Sequence, residues 1–579
     1  MTDQDVFTTS TAGLQEVSSP RAVRLHDGDR LDLSISAVRK NLHGAELRML
    51  AYNGSVPGPT LHVQQGSEIS VHTRNDGDVD TTVHWHGLRL ENRYDGVPHE
   101  TQQPIPVGGS YTCRLQFPDP GFYWYHPHIR EDFAQEMGLY GTIIVEPTDP
   151  EYWPNVDRQL SLTLDDLLVE DGHIASFLLA GPTFTAMGRY GNELLTNGES
   201  RFSGEATVGE VVRLYLVNTA NTRIFNVAVR GARAKLIGGD SGRYERETIV
   251  QEVLLAPSER AIIDVLFDTP GDVRLEHRTP DRVYPLGAFT VAPGDGGGAN
   301  SAAFEVLRTD PELTAEHRLL TPDLDRSPDK VLAFFSRMPL LYDDQQDASS
   351  YVCPMHPQVT GSEPATCPQC GMKLIPATTS ATAPAASYAC PMHPRVTAPE
   401  ATRCPQCGMK LVQTNSLRTT AQDSPTGHDH DHVHADDHGD GLEWEDLMPQ
   451  INRVSNPSNM IWQLIDRDTG AVNGAIDWAF TVGDRVKIRL VNEMDSDHPM
   501  HHPFHIHGAG RFLILARDGE PESNLVWKDT VLVRAGQTVD ILLEVTNPGL
   551  WMAHCHIAEH AESGMMFSFN VARTPEPVR

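Results

Sequence analysis

One stretch near the end of the chain indicates both its fold and its chemistry: His554-Cys555-His556-Ile557-Ala558-Glu559-His560-Ala561-Glu562-Ser563-Gly564-Met565-Met566. On an extended strand, neighbouring side chains point to opposite faces, so Cys555 would face one side and His554 and His556 the other. Cys555, His560 and Met565 supply thiolate, imidazole and thioether, which suit a blue-copper electron-transfer site that still lacks one histidine. The alternative is a buried free cysteine between two surface histidines.

Three further histidine clusters lie earlier in the chain. They are His84-Trp85-His86-Gly87, Tyr125-His126-Pro127-His128 and His498-Pro499-Met500-His501-His502-Pro503-Phe504-His505-Ile506-His507-Gly508. A His-x-His pair places two imidazoles on one face of a strand, as two ligands of one metal cluster require. A single pair is weak evidence because it also occurs on surfaces by accident. Four clusters in order, one of which carries Cys and Met, are strong evidence for a metal protein.

With these four motifs the sequence resembles the three-domain multicopper oxidases of the laccase and metal-oxidase group, and the likeness covers most of the chain outside one insertion. The resemblance implies an all-β fold of three cupredoxin-like Greek-key β-sandwich domains and four copper ions. The implied ligands are His502, Cys555, His560 and axial Met565 for type 1 copper, His84 and His505 for type 2, and His86, His126 and His556 with His128, His507 and His554 for the two type 3 ions. His498 and His501 fall outside this spacing and are expected to support the ligands or to lie at the surface.

The resemblance implies an oxidase that accepts single electrons at the type 1 copper from phenols, aromatic amines or reduced metal ions. The electrons would pass through Cys555 to the trinuclear copper cluster, where O2 is reduced to water. A cuprous-ion oxidase and a metal-sequestering copper-resistance protein are the alternatives. Relatives that are not enzymes tend to lose ligand residues, and all of them are present here, which favours an enzyme. Family habit suggests a monomer.

Two carboxylates are candidates for proton handling. Asp95, in Asp95-Gly96-Val97-Pro98, matches a family carboxylate near the oxygen-reducing cluster, although an ordinary Asp-Gly turn is the alternative. Relatives often carry Glu directly after the second type 1 histidine, where this chain has Ala561. Glu562 or Glu559 would have to take over that role.

Short apolar runs broken by Gly, Pro and Asn predict the domain organisation. After a polar tail over 1–22, we expect a first cupredoxin domain over 23–148 and a second, without copper, over 149–293. The third would comprise 294–345 and 441–573. Strands are predicted over 68–72, 141–145, 211–217, 261–267, 331–335, 484–491 and 538–545. The second domain, whose His173 and His277 are isolated, would hold the other two at the right separation.

Residues 346–440 interrupt the third domain, because strand patterning stops there and the composition shifts to Ala, Thr, Pro, Cys and His. The segment contains a repeat, at 351–374 and again 37 residues later at 388–411. Each copy offers three thiolates and one histidine, which suit tetrahedral zinc, while its Met residues suit Cu(I). The candidate ligands are Cys353, His356, Cys367 and Cys370 in the first copy and Cys390, His393, Cys404 and Cys407 in the second. A disulfide pair in each copy is the alternative.

The repeats resemble the small heavy-metal-binding domains attached to copper-exporting pumps. A histidine-rich tract over 428–438 follows them, and such tracts bind metals weakly and reversibly. Its candidate ligands are His428, His430, His432 and His434. Together these pieces suggest a metal-collecting arm on a copper enzyme.

Composition excludes some partners and leaves the compartment open. A formal net charge of -32, from 46 Lys and Arg against 78 Asp and Glu, argues against nucleic acid and anionic membranes. No apolar run approaches the roughly 20 residues that a membrane helix needs. The first residues show no basic and apolar export signal, so we expect a cytoplasmic protein as written, or a periplasmic or secreted one if a leader was removed. Of the eight cysteines, only Cys113 lies outside the metal motifs, and it is expected to be a buried small hydrophobe without a disulfide.

Overall fold

The computed structural model describes residues 6–294, 299–342, 351–361, 365–376 and 441–574, together with short strands at 388–389, 397–398 and 412–413. The chain forms two compact units. The larger comprises Met1–Arg337, Gly441–Glu493 and Met500–Arg579, and the smaller comprises Met338–Asp440 and Met494–Pro499. The larger unit contains three β-sandwiches, as predicted. Within the described residues, no helix has the length and the apolar character needed to cross a bilayer.

The first sandwich is made of two five-stranded sheets. Its strands are β1 (Gln15–Glu16), β2 (Ala22–Leu25), β3 (Arg30–Leu42), β4 (Ala45–Tyr52), β5 (Thr60–Gln64), β6 (Glu68–Asp76), β7 (His84–His86), β8 (Ser110–Gln116), β9 (Gly121–His126) and β10 (Gly141–Glu146). One sheet has the order β1-β3-β6-β8, with β4 paired to β3, and the other has the order β2-β5-β10-β9-β7. Along β6 the buried Ile69, Val71 and Thr73 alternate with more exposed residues, so one face of the sheet packs on the core.

Part of the predicted polar tail belongs to this sandwich. The ring of Phe7 stacks on the ring of Phe133 with their centroids 3.8 Å apart, and Val6 forms a β-bridge with Leu178. Strand β1 pairs in parallel with β3. The prediction of a polar tail is therefore wrong over residues 6–22. A few apolar side chains among the polar ones are enough to hold this segment on the core.

The second sandwich contains a six-stranded sheet, a five-stranded sheet and a short hairpin. Its strands are β11 (Arg158–Leu167), β12 (Val169–Glu170), β13 (His173–Ile174), β14 (Glu193–Thr196), β15 (Phe202–Thr207), β16 (Val211–Asn218), β17 (Phe225–Arg230), β18 (Arg233–Gly239), β19 (Gly242–Val250), β20 (Glu252–Leu255), β21 (Arg260–Leu266), β22 (Gly271–Arg278) and β23 (Val283–Ala292). The sheets have the orders β14-β11-β16-β21-β18-β19 and β15-β23-β22-β17-β20, and β12 pairs with β13.

The third sandwich again pairs a six-stranded sheet with a five-stranded one. Its strands are β24 (Lys330–Arg337), β31 (Ile461–Asp466), β32 (Ala479–Thr481), β33 (Arg485–Asn492), β34 (His502–Ile506), β35 (Gly510–Arg517), β36 (Glu520–Pro521), β37 (Thr530–Val533), β38 (Thr538–Val545), β39 (Gly549–Cys555) and β40 (Met566–Ala572). The sheets have the orders β31-β24-β33-β38-β35-β36 and β32-β40-β39-β34-β37. Strands β24 and β31, which flank the insertion in the chain, are antiparallel neighbours, with Leu332 opposite Asp466.

Short helices connect and edge these sandwiches. They are α1 (Glu131–Ala134), α2 (Ala299–Phe304), α3 (Pro311–Leu319), α4 (Thr321–Asp325), α5 (Pro339–Tyr342), α6 (Pro449–Asn452) and α7 (Ala558–Glu562), with 3-10 turns at Asn92–Tyr94 and Asn473–Ala475. Helix α3 begins where Asp310 accepts hydrogen bonds from the N–H groups of Glu312 and Leu313, and proline occupies its first position. Helices α2 to α4 lie where the third domain was expected to start, and they were not predicted from the sequence.

The smaller unit contains the insertion. In the first repeat β25 (Tyr351–Val352) lies between β26 (Thr360–Gly361) and β27 (Ile375–Pro376), and in the second β28 (Tyr388–Ala389) lies between β29 (Thr397–Ala398) and β30 (Val412–Gln413). The two copies thus share one strand order. The ligands predicted in the second copy, and those of the histidine-rich tract, lie outside the described residues.

Candidate metal centres

Four histidine-bearing segments from the first and third sandwiches meet face to face. Strand pairing places His84 opposite His126 in the first sandwich and His505 opposite His554 in the third. Across the contact, the ring of His86 stacks on the ring of His505 with their centroids 3.8 Å apart, and the centroids of His84 and His507 are 4.0 Å apart. The predicted cluster residues therefore come together between these two domains.

The ring nitrogens converge at distances that a shared metal ion would impose. The groups His84/His505/His507, His84/His86/His126 and His128/His507/His554 each bring their ligand atoms within 4.8 Å of one another. Nε2 of His507 lies 3.3 Å from Nε2 of His128 and 3.1 Å from Nε2 of His554. Nitrogens bound tetrahedrally at about 2.0–2.1 Å would be about 3.3 Å apart. The ring of His556 completes the set, with its centroid 5.0 Å from that of His86 and 5.1 Å from that of His126.

The buried nitrogens also show that these residues fit copper. Among the described residues no hydrogen-bond partner reaches Nε2 of His84, His126 and His505 or Nδ1 of His86, although all four atoms are buried. Leaving a buried polar atom without a partner costs about 1–3 kcal/mol, so several such atoms in one place call for an occupant. Burial also lowers the pKa of His556 to about 3, which keeps that imidazole in the neutral form that binds metals.

The opposite ring nitrogen is held by a main-chain oxygen in four of these histidines. The Nδ1 atoms donate to carbonyl oxygens at 2.7 Å for His84 to Asp95, 2.9 Å for His126 to Pro127, 2.9 Å for His505 to Asp529 and 2.9 Å for His554 to Cys555. Such contacts fix the tautomer and the ring orientation of a ligand. They leave Nε2 of each ring to face its neighbours.

Carboxylates hold three other imidazoles. Nδ1 of His507 lies 2.8 Å from Oδ2 of Asp95, and Nδ1 of His128 lies 2.9 Å from Oε1 of Glu131. In His86 it is Nε2, and not Nδ1, that contacts a carboxylate, at 3.0 Å from Oδ1 of Asp529. Sequence reasoning identified Asp95 but missed Glu131 and Asp529. The position of Glu131 three residues after His128 was a usable signal, whereas nothing in the local sequence of Asp529 indicates its partner.

The predicted acidic residues occupy different surroundings. Burial alone would raise the pKa of Asp95, but His507 and His84 lower it, so the carboxyl group stays ionised. Burial raises the pKa of Glu562 to about 8, and its Oε1 accepts a hydrogen bond from the N–H of Glu131 at 2.9 Å. Burial raises the pKa of Glu559 to about 7, and this side chain accepts from Thr222 at 3.2 Å.

A separate group contains the cysteine. Sγ of Cys555 lies 3.4 Å from Nδ1 of His502 and 3.8 Å from Nδ1 of His560, and all three residues are buried. Met565 is tied to them through its main chain, because its N–H donates to the carbonyl of His560 and its carbonyl accepts from the N–H of Cys555. The ring of Trp462 stacks on that of His560 with centroids 4.0 Å apart. Two histidines, a cysteine and a methionine form the donor set of a blue-copper site.

Four further histidines that the sequence singled out differ in their exposure. His498 and His501 are both fully buried, so the surface alternative for them is wrong. Nδ1 of His501 accepts a hydrogen bond from the N–H of Glu443 at 3.1 Å, which gives it a structural partner. His173 is exposed on β13, and His277 is buried in the second sandwich.

The first repeat brings its four predicted ligands together. Sγ of Cys353 lies 3.6 Å from Sγ of Cys370 and 3.6 Å from Nδ1 of His356, and Sγ of Cys367 lies 3.5 Å from the same nitrogen. Tetrahedral zinc, with bonds of about 2.3 Å to sulfur and 2.0–2.1 Å to nitrogen, would space two sulfurs about 3.8 Å apart and a sulfur and a nitrogen about 3.5 Å apart. These cysteines are free, so the disulfide alternative is wrong for this copy.

Comparison with known proteins agrees with this geometry. Two descriptions of the family "Multicopper oxidase" match residues 35–150 and 447–575, and the "Heavy metal binding domain" matches 350–377 and 387–414. The chain is 23% identical to "Copper resistance protein A homolog" of Pseudomonas syringae pv. tomato, over 93% of this chain and 91% of that protein. It is 24% identical to "Multicopper oxidase MmcO" of Mycobacterium tuberculosis, over 95% and 88% respectively. A solved structure, "Multicopper oxidase from Campylobacter jejuni: a metallo-oxidase", shares the fold with a TM-score of 0.60 and 18% identity, covering 98% of this chain and 99% of that one.

These findings establish the class. The chain carries multicopper oxidase domains at residues 35–150 and 447–575 and an inserted pair of heavy-metal-binding repeats. It is a copper enzyme that takes single electrons from a reducing substrate and reduces O2 to water, with one type 1, one type 2 and two type 3 copper ions as its cofactors.

Proposed function

We propose that the residues brought together in the structure hold the four copper ions. The assignments are His502, Cys555, His560 and Met565 for type 1, His84 and His505 for type 2, His86, His126 and His556 for one type 3 ion, and His128, His507 and His554 for the other. The observation that supports them most directly is the convergence of buried ring nitrogens, of which Nε2 of His84, His126 and His505 and Nδ1 of His86 have no hydrogen-bond partner among the described residues. Bound copper would supply one-electron redox chemistry at the type 1 site and a place where four electrons meet O2.

The side chains of this protein divide the remaining work. Cys555 is flanked in the chain by His554 and His556, so it offers a covalent path one residue long between the two sites. Asp95 orients His507, and its ionised carboxylate is placed to accept a proton and pass it on beside the cluster. The burial of the cluster histidines keeps bulk water away from them. A strong visible absorption from thiolate to Cu(II), lost in Cys555→Ser, would test the type 1 assignment.

For the reducing substrate, we propose a reduced metal ion of the Cu(I) type. The support is the four-ligand site of the first repeat, which places a second metal-handling device in the same chain as the oxidase. The relative named "Copper resistance protein A homolog" fits this choice. Phenols and aromatic amines are the second candidate, because the scattered methionines do not form a methionine-rich surface: Met338, Met448 and Met460 are buried, and of these four only Met494 is exposed.

Turnover on Cu(I) and on a phenolic dye separates the two candidates. We would compare the wild type, a deletion of 346–440 and a Cys353→Ser/Cys370→Ser double variant, with Cys113→Ser as a control for loss of a buried thiol. If the repeats deliver metal, the deletion and the double variant slow Cu(I) oxidation several-fold while dye oxidation keeps its rate. Unchanged rates on both substrates would refute the link between the repeats and the substrate. Equal copper binding by wild type and Cys555→Ser, with no O2 consumption by either, would favour the metal-sequestering alternative.

A further inference from the structure

A single residue, Asp529, holds two of the proposed copper ligands, one through its carboxylate and one through its main-chain carbonyl. Oδ1 of Asp529 lies 3.0 Å from Nε2 of His86, and the carbonyl oxygen of Asp529 accepts from Nδ1 of His505 at 2.9 Å. The next residue supports both contacts, because Oγ1 of Thr530 lies 3.2 Å from each of these ring nitrogens. Asp529 therefore decides which nitrogen of two stacked imidazoles is left for metal, Nδ1 in His86 and Nε2 in His505.

The partner of this carboxylate comes from the second sandwich. Nη1 of Arg260, the first residue of β21, lies 2.7 Å from Oδ1 of Asp529, and Nη2 pairs with Oδ2. The same guanidinium donates from Nε to the carbonyl of Phe122 in the first sandwich at 3.0 Å. Its side chain is completely buried. One guanidinium thus contacts residues of all three sandwiches.

Neighbouring contacts hold the Arg260–Asp529 ion pair in position. Nζ of Lys528 lies 3.0 Å from Oδ2 of Asp240 and 3.2 Å from Oε1 of Glu259, both in the second sandwich. The main-chain N–H of Arg260 donates to Oδ1 of Asp240 at 2.9 Å. A Cβ added to Gly87, directly after His86, would lie 2.8 Å from Nη2 of Arg260, so the chain leaves room for the guanidinium by having glycine there.

We propose that the second domain, which contributes none of the assigned copper ligands, sets the geometry of the trinuclear cluster through Arg260. Arg260 is a positioning residue. It balances the charge of Asp529 and fixes that carboxylate in the one orientation that accepts from Nε2 of His86, which directs Nδ1 of His86 to the copper. The fork of a guanidinium suits this role because it binds both carboxylate oxygens at once. The inference rests on the cluster ligands assigned under the proposed function.

The test compares Arg260→Gln with Arg213→Gln in the full-length, copper-loaded protein. Arg213 is an equally buried arginine of the same sandwich and forms a two-contact pair with Asp264 at 2.8 and 3.0 Å, so it controls for loss of a buried ion pair. The readouts are copper bound per chain, copper affinity against a competing chelator, and the share of Cu(II) visible by electron paramagnetic resonance. Loss of such outer contacts typically weakens metal binding about 10- to 100-fold.

We expect Arg260→Gln to weaken the binding of cluster copper by that factor and to raise the visible Cu(II) share, while Arg213→Gln and the blue absorption stay as in the wild type. Arg260→Lys restores part of the loss because it keeps the charge without the fork. If Arg260→Gln does not fold, Asp529→Asn decides by the same readouts. Full, tight copper loading in the Arg260 and Asp529 variants would overturn the inference, as would an equal loss in Arg213→Gln. A wild-type protein that binds no cluster copper would instead overturn the ligand assignments.

Discussion

His507 and Asp95 join the third sandwich to the first through a contact of 2.8 Å between Nδ1 and Oδ2, buried beside the proposed copper cluster. The carbonyl oxygen of the same aspartate accepts from Nδ1 of His84 at 2.7 Å. Asp95, which directly follows the 3-10 turn at Asn92–Tyr94, therefore orients imidazoles on both sides of the contact between the two sandwiches. Its carboxylate remains ionised because His507 and His84 lower its pKa against the effect of burial.

Asp95→Asn separates orientation from charge at this position. The amide oxygen can still accept from His507, so we expect copper content and the blue absorption to stay at wild-type levels. The amide cannot carry a proton as the carboxyl group does, and proton transfer by a positioned group is worth about 100-fold or more in rate. We expect the rate of O2 consumption at saturating substrate to fall by about that factor. A wild-type rate in a fully copper-loaded variant would remove Asp95 from proton handling.

Gly87→Ala tests the space that the buried ion pair occupies. Gly87 and Gly66 both have positive φ, +84° and +86°, so alanine is strained at either position. Only at Gly87 would the new Cβ meet other atoms, whereas around Gly66 nothing lies within 4 Å. Overpacking typically costs about 1–3 kcal/mol. We expect Gly87→Ala to lower the free energy of unfolding by that amount beyond Gly66→Ala, measured by denaturant titration of the copper-free proteins. Equal losses would show that the pair has room to move.

His277 predicts a dependence of stability on pH. Burial, and then the charge of Arg223, lower its pKa to about 3 in the folded protein, against about 6.5 in an unfolded chain. Between these values the unfolded chain binds a proton that the folded protein does not, so this residue removes stability as pH falls from about 6.5 towards 3. In the wild type, Nδ1 of His277 accepts a hydrogen bond from the N–H of Asn226 at 3.1 Å. His277→Gln keeps an acceptor for this N–H but removes the titrating group.

Accordingly, the free energy of unfolding of the wild type relative to His277→Gln should drop by about 2 kcal/mol between pH 7 and pH 5. Denaturant titration of the copper-free proteins followed by tryptophan fluorescence measures this difference. His173→Gln is the matched control, because His173 is an exposed histidine of the same sandwich. If the difference in free energy of unfolding between the wild type and His277→Gln does not change with pH, His277 is protonated in the folded protein and the prediction is wrong.

For the first repeat, the ligand distances predict a closed four-ligand metal site. We expect Cys370→Ser to lose about one metal ion per chain and to retain the blue absorption, since a closed tetrahedral site uses all four protein ligands. Cys113→Ser, which removes a buried thiol outside the repeat, should leave the metal content unchanged. Elemental analysis of purified protein gives both values and shows whether the ion is zinc or copper. An unaltered metal content in Cys370→Ser would contradict the assignment.

The metal centres were predictable from the sequence to the extent that ligands follow local rules. His-x-His spacing on strands and the run around Cys555 identified residues that the structure brings together, and each predicted strand run matches an observed strand to within one residue at its ends or lies inside it. Helix α3 carried a signal that was overlooked, since Asp310 followed by Pro311 is typical of a helix start. Arg260 could not be found in this way, because its partner Asp529 lies 269 residues away in the chain. Asp529 and His86 are 443 residues apart, and only the packing of three sandwiches joins them.

Strands β24 and β31 pair along their length, although the whole insertion lies between them in the chain. Their main-chain hydrogen bonds therefore close the sheet regardless of what the connection contains, and a longer connection adds little entropic cost. The connection between β24 and β31 is therefore a position where one inserted segment can be replaced by another. A thiol-rich module for another soft metal, or a plain short turn, could be grafted there by gene engineering to give a family of oxidases that differ only in what they carry.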